Sequence, residues 1–427
     1  MSLMERGTMR KKAAAAALAL MMLCCAAGCS APAATDAPES PESEFGGVRD
    51  ERESQSAAPA PAPAPSAPKP AAVPTLDERA AEKAASLTLE QKVAQLFVVT
   101  PEAITGVDTA TQAGSATQQA LAAYPVGGLV YFQKNLLTAD QTREMIANSQ
   151  AFAQDACGLP LLVGVDEEGG TVSRIGGNPG FDISNEGNMA DVGAAGDTAQ
   201  AKAVAARIGG YLSDLGFNLD FAPDSDVCGD PSTDVMALRS FGTDPAIVGS
   251  MVSAQVEGFA EAGVLCSAKH FPGIGGVMGD SHEGAIVTQN TLDELRIGEL
   301  APFEAAIEAD VPMVMVGHLT APNAFGSDVP ASLNPAAVTD LLRGELGFQG
   351  LVITDSLSMG AVGDFCTPDQ AGVAALEAGA DLVLMPEDFA AAYQGVLDAV
   401  SEGALSEERI DQSVLRIVKA KLALDES

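Results

Sequence analysis

The sequence predicts an α/β protein, a (β/α)8 barrel of the TIM type, on three observations. Eight short apolar, mostly β-branched runs recur at 93–99, 128–132, 161–165, 217–222, 264–268, 311–316, 351–354 and 381–385. Ala-rich or amphipathic stretches of helical period separate most of them, as at 140–154, 198–215, 246–262, 291–309 and 369–378. Strand alternating with helix means parallel strands joined by right-handed crossovers. Finally, polar residues gather just after the runs, where barrels of this kind build their chemistry. An open, doubly wound sheet is the alternative. No G-x-G-x-x-G follows any run, which removes the main support for a dinucleotide fold.

Taken in order, residues 1–29 read as an export signal rather than as fold. Arg10, Lys11 and Lys12 precede an apolar stretch, 13–23, that is too short to span a bilayer. The segment ends A-A-G-C-S and resembles a bacterial lipobox, with Ala26 three positions before Cys29 where leucine is more usual. The expectation is lipidation at Cys29 and attachment to the outer face of the bacterial cell membrane. Residues 30–75, rich in Pro, Ala, Ser and Glu and including P-A-P-A-P-A-P, lack the apolar side chains that would offset the entropy of ordering. They read as a tether, part of it in extended polyproline II. Residues 76–427 then form a single catalytic domain.

A formal net charge of −35 argues against nucleic acid and against electrostatic adhesion to anionic lipid. Cys157, Cys228, Cys266 and Cys366 show neither a C-x-x-C pair nor metal-ligand spacing, so free, buried thiols and no metal are expected.

The third run ends in Asp166-Glu167-Glu168-Gly169-Gly170, and the fourth is followed by Pro223-Asp224-Ser225-Asp226. The fifth ends at Lys269-His270, the sixth at Gly317-His318 and the seventh at Asp355. Segment 268–282 holds two of the three histidines, Lys269, Asp280 and four glycines, a composition able to fold closely around a ligand. This pattern points to an enzyme with a polar, sugar-sized cleft.

The motifs then reach a family. S-L-T-L-E-Q-K-V-A-Q-L-F, V-G-G-L-V-Y-F, D-E-E-G-G-T-V-S-R, F-A-P-D-S-D-V, R-S-F-G-T-D-P, K-H-F-P-G, D-S-H and V-I-T-D-S-L-S-M occur in this order. From about residue 76 to 423 the chain resembles the family-three glycoside hydrolases, in particular the NagZ-type β-N-acetylhexosaminidases. The resemblance implies that Asp355 is the nucleophile and that His282, assisted by Asp280, is the acid/base. It also implies that Asp166, Arg174, Arg239, Lys269 and His270 hold sugar hydroxyls. Arg174 and Arg239 also suit structural ion pairs. His318 reads as cleft wall or support, and Glu167, Glu168, Asp224 and Asp226 as loop or supporting groups. No cofactor is implied.

The chemistry is consistent on its own terms. A retaining glycosidase needs a nucleophile and a group that donates and then recovers a proton. Histidine, with a pKa of about 6.5, suits that exchange near neutrality, and an adjacent aspartate would fix its tautomer. One departure stands out. The subgroup reads P-G-H-G-D-T before its Asp-Ser-His, whereas this chain reads Pro272-Gly273-Ile274-Gly275-Gly276-Val277. The expectation is an active, monomeric exo-β-N-acetylglucosaminidase acting on carbohydrate, with peptidoglycan fragments as substrate. A β-glucosidase or β-xylosidase of the same family and a weakened sugar-binding lipoprotein are the alternatives.

Overall fold

Eight parallel strands make the wall of a barrel: β1 (Phe97–Val99), β2 (Gly128–Val130), β3 (Leu162–Val165), β4 (Leu219–Asp220), β5 (Leu265–Phe271), β6 (Met313–Val316), β7 (Leu351–Thr354) and β8 (Val383–Leu384). They are seen in a computed structural model that describes residues 74–277, 279 and 284–424. Each strand from β2 to β7 pairs with its predecessor, and β1 pairs with β8. The remaining seam closes where Ile353 bridges Leu382 and the Thr354 N–H donates to the Leu382 carbonyl at 3.1 Å. Strands buried on both faces need apolar residues throughout, which is why these runs were legible.

Among the described residues the strand expectations hold, with shifted edges. Residues 93–95 belong to the helix Leu89–Gln95, opened by a Thr88–Gln91 capping box, and the first strand starts only at Phe97. Helix 291–309 is instead two, Leu292–Ile297 and Ala301–Glu308, parted at Gly298 and Glu299. There the Leu300 N–H turns back to the Leu295 carbonyl at 2.9 Å, and Pro302, lacking an N–H, sits at the new start. The four cysteines are free, but only Cys228 and Cys266 are buried; Cys157 and Cys366 are half-buried, a correction to the uniform burial expected.

The barrel floor depends on one glycine. Gly164 in β3 faces the Phe221 ring, and a Cβ there would lie 3.0 Å from Phe221 Cε2. The missing side chain lets that ring cross the barrel beneath the cleft. At the opposite, N-terminal end, Asp381 is fully buried. Its carboxylate accepts from Arg343 (2.5 Å), Arg416 (3.1 Å), Ser413 Oγ (2.7 Å) and the Val352 N–H of β7 (3.0 Å), tying three segments to the closing seam.

Candidate active site

A cavity of about 390 Å³ opens at the C-terminal ends of the strands. Asp166, Arg174, Arg239, Lys269, His270 and Asp355, scattered over 190 positions in sequence, all line it. Asp280, His282 and Cys29 lie outside the described residues.

β5 runs further than the sequence suggests. Lys269 and His270 stand within it, next to a register shift between Ala268 and Phe271, and are therefore barrel wall rather than loop. The Lys269 N–H donates to the Pro223 carbonyl at 3.1 Å and its carbonyl accepts from the Ser225 N–H at 2.6 Å, extending the β4 pairing. The Lys269–His270 and Phe271–Pro272 peptides are cis.

Buried Glu168 is the hub of the charge network. It accepts from Arg239 at two points, Nε (2.8 Å) and a terminal nitrogen (2.7 Å), and pairs with Lys269 Nζ at 2.7 Å. Burial pushes the Glu168 carboxyl up, but Lys269 and Arg239 outweigh it and hold the group well below the usual range. Burial likewise disfavours charge on Lys269, yet Asp166 (2.9 Å) and Glu168 raise its pKa above the ordinary value. Arg174 lies 3.8 Å from Asp166 and over the Phe132 ring, 5.9 Å from its centroid. Arg174 Nε is buried without a hydrogen-bond partner. The result is a balanced set of fixed donors and acceptors, which suits a polyhydroxylated ligand rather than a single charge.

Two further acids shape this wall. Glu167 accepts from the Arg174, Ile175 and Gly176 N–H groups at 2.6, 3.0 and 2.8 Å, folding the turn that presents Arg174. Buried Asp226 accepts from His270 Nδ1 (2.7 Å) and from the Ile274 N–H (2.7 Å), so one carboxylate orients the imidazole and anchors the next loop. Neighbouring Asp224 is also buried, and burial together with Asp226 pushes its carboxyl well above the ordinary value. Sequence reasoning had left these acids among supporting groups; Glu168 is more than that, since it lines the cleft. Its position two residues after Asp166, just past a strand end, is the available signal.

The departure from the subgroup pattern acquires a structural meaning. Ile274 is buried with Met236, Ile286 and Leu319, and Val277 packs against them. Asp234 accepts from the Gly276 and Gly229 N–H groups at 2.7 Å each. Gly275 lies so close to the Val227 carbonyl that a Cβ would have no room. At these positions this chain forms an apolar plug under backbone anchors.

Asp355 is half-buried one residue past β7, and its N–H bonds the Val316 carbonyl of β6 at 2.8 Å. Its Oδ1 accepts from the Ser356 N–H at 2.7 Å. Burial pushes the carboxyl up, but His270, His318, the Ser356 N–H and Lys269 together hold it below its ordinary value. The group is an ionised, oriented carboxylate, as a nucleophile must be. Asp224, Asp226 and His270 bring ligand atoms within 4.8 Å of one another, the one group among the described residues with metal-like spacing. Asp226 is already committed to the His270 ring and the Ile274 N–H.

The closed parallel barrel and a sugar-sized cleft of fixed donors and acceptors define a (β/α)8 barrel protein for a saccharide-like ligand. The chain belongs to glycosyl hydrolase family 3: the description "Glycosyl hydrolase family 3 N terminal domain" matches residues 88–420. It is 36% identical over 329 residues to Beta-hexosaminidase A of Pseudoalteromonas piscicida, covering 71% of this chain and 54%, about half, of that relative. It is 35% identical over 366 residues to Beta-hexosaminidase LpqI of Mycobacterium tuberculosis, covering 83% and 86% respectively. Among solved structures, a family 3 beta-N-acetylglucosaminidase from Paenibacillus sp. str. FPU-7 superposes with a TM-score of 0.73 at 37% identity, over 80% of this chain and 64% of the other.

Proposed function

We propose that the protein is a retaining exo-β-N-acetylglucosaminidase that releases terminal β-linked GlcNAc, with peptidoglycan fragments as its natural substrate. The observation that carries this reading is the single cleft in which an ionised Asp355 faces Asp166, Arg174, Arg239, Lys269 and His270. The names of the relatives, beta-hexosaminidase and beta-N-acetylglucosaminidase, supply the N-acetylated sugar.

In this mechanism the Asp355 carboxylate attacks the anomeric carbon and the glycosidic C–O bond breaks toward the leaving oxygen. His282, oriented by Asp280, gives that oxygen its proton. The imidazole then takes a proton from water as the water opens the glycosyl ester on Asp355, restoring both groups. Lys269 and Glu168, fixed in charge, grip the hydroxyls without titrating near neutrality. Export through residues 1–29, lipidation at Cys29 and a tether over 30–75 would place the enzyme on the outer face of the cell membrane, a reading supported by the basic, apolar and A-A-G-C segments alone.

The purified protein offered aryl β-GlcNAc, β-glucoside and β-xyloside tests the reading, with Asp355→Asn as control. GlcNAc release that the substitution abolishes supports it; release of glucose or xylose instead points to the other specificities of the family. GlcNAc-oligomer binding with no turnover would leave a sugar-binding protein. His282→Ala is expected to impair natural disaccharides far more than aryl glycosides with good leaving groups, which need little protonation. Equal losses on both would remove His282 from the acid role.

A further inference from the structure

His318 is unused by the mechanism above, yet it is buried at 1% exposure two residues past β6, on the strand next to the one that carries Asp355. Its Nε2 lies 2.9 Å from the Ser356 carbonyl oxygen and its Nδ1 lies 2.7 Å from Ser332 Oγ. A carbonyl only accepts, so Nε2 must carry the proton. In the neutral ring Nδ1 then accepts from the Ser332 hydroxyl, and the tautomer is fixed from both sides. Ser332 is itself fully buried, and its N–H donates to the Gly317 carbonyl at 3.1 Å.

The peptide that His318 grips is the one joined to the candidate nucleophile. The Ser356 N–H binds Asp355 Oδ1 at 2.7 Å, while the Ser356 carbonyl is held by the imidazole. We propose that His318 is a positioning residue for Asp355, clamping the Asp355–Ser356 segment through the Ser356 carbonyl, with Ser332 fixing the ring that does so. This rests on the reading of Asp355 as nucleophile. Among the described residues, the titratable groups that face Asp355 are His270 and Lys269 from β5 and His318 from beyond β6.

Three variants test the clamp. His318→Leu removes the donor and is expected to lower kcat on aryl β-GlcNAc by about 100-fold, the scale of a misplaced reacting group, with KM nearly unchanged. His318→Gln keeps an amide N–H within reach of the carbonyl and should recover about tenfold of that loss; Ser332→Ala should cost roughly fivefold, one neutral hydrogen bond. In His318→Leu the acid limb of the kcat/KM profile should move to higher pH, because the released Ser356 N–H holds Asp355 Oδ1 less well, and in His318→Gln it should move less. Equal losses in Leu and Gln, or losses that follow thermal unfolding with an unmoved acid limb, overturn the proposal.

A carboxyl-13C titration of Asp355 in wild type and His318→Leu reads the same interaction without turnover. An upward shift supports the clamp and an unchanged titration overturns it. If the wild type turns over no β-glycoside, the proposed function fails, and this titration still decides the role of His318.

Discussion

The two ends of the barrel bury carboxylates in similar surroundings and put them to different uses. At the N-terminal end, Asp381 meets Arg343 and Arg416; at the C-terminal end, Glu168 meets Lys269 and Arg239. Around Asp381 the donors are spent on the protein: Arg343 also bonds the Gly379 and Gly350 carbonyls at 3.2 Å each. Around Glu168, Lys269 also reaches the cleft carboxylate Asp166, and Arg174 Nε beside it has no hydrogen-bond partner among the described residues. A network closed on itself supports the fold. One left open toward a cavity is prepared for a ligand.

Substitutions can break this contrast. Asp355→Asn should reduce turnover by at least about 10⁴-fold while the fold is kept, since it removes the proposed nucleophile and no buried ion pair. Steady-state rates beside a urea unfolding curve check both halves. Asp381→Ala should do the converse. Two guanidinium groups lose their carboxylate, which costs about 3–5 kcal/mol of stability, whereas kcat per folded molecule stays at the wild-type value. A large fall in kcat for the folded Asp381→Ala protein would erase the distinction between the ends.

The two ends should also differ in how stability follows pH. Near the catalytic end, burial and the charges of Asp226 and Asp234 push Glu299 up to about 8. A raised carboxyl contributes stability that is complete below its unfolded pKa and is lost as pH rises through about 8. At the other end Lys421 is fully buried on Gln95 Oε1 (2.7 Å), and burial lowers it to about 7. A lowered lysine binds fewer protons than the unfolded chain, so unfolding free energy should rise with pH above about 7. Urea titrations at a series of pH values should show the fall flattened in Glu299→Gln and the rise flattened in Lys421→Met. The smallest effect is expected at Arg174: Arg174→Ala should lower kcat/KM by about tenfold and change stability by less than about 0.5 kcal/mol. Thermal denaturation and initial rates separate these.

Most of the barrel could be read from sequence because a strand buried on both faces must be apolar at consecutive positions. The short strand runs therefore announced themselves, and Asp166, His318 and Asp355 could be placed after them. The edges were less legible. Val93 and Ala94 are apolar like the strand they precede, and the Thr88 capping box explains why they are helical. The split at Gly298 depends on where Leu300 finds a partner. Lys269 and His270 read as the end of a strand, but that the strand encloses them depends on the β4 backbone opposite. Least legible were the buried acids. Whether Glu168, Asp226 or Asp381 matters is decided by partners tens to a hundred positions away, and no local pattern records that.

Asp226 has a consequence for how such an enzyme can change. By holding the His270 ring and the Ile274 N–H on its two oxygens, it fastens the cleft wall and the following loop to one rigid post. Side chains beyond that post can be exchanged without disturbing the grip, provided the backbone contacts to Asp226 and Asp234 survive. Segment 274–277 is thus a cassette. Grafting a polar P-G-H-G-D-T segment onto this scaffold would change the side chains at 274, 276 and 277 while the Asp226 and Asp234 anchors stay in place.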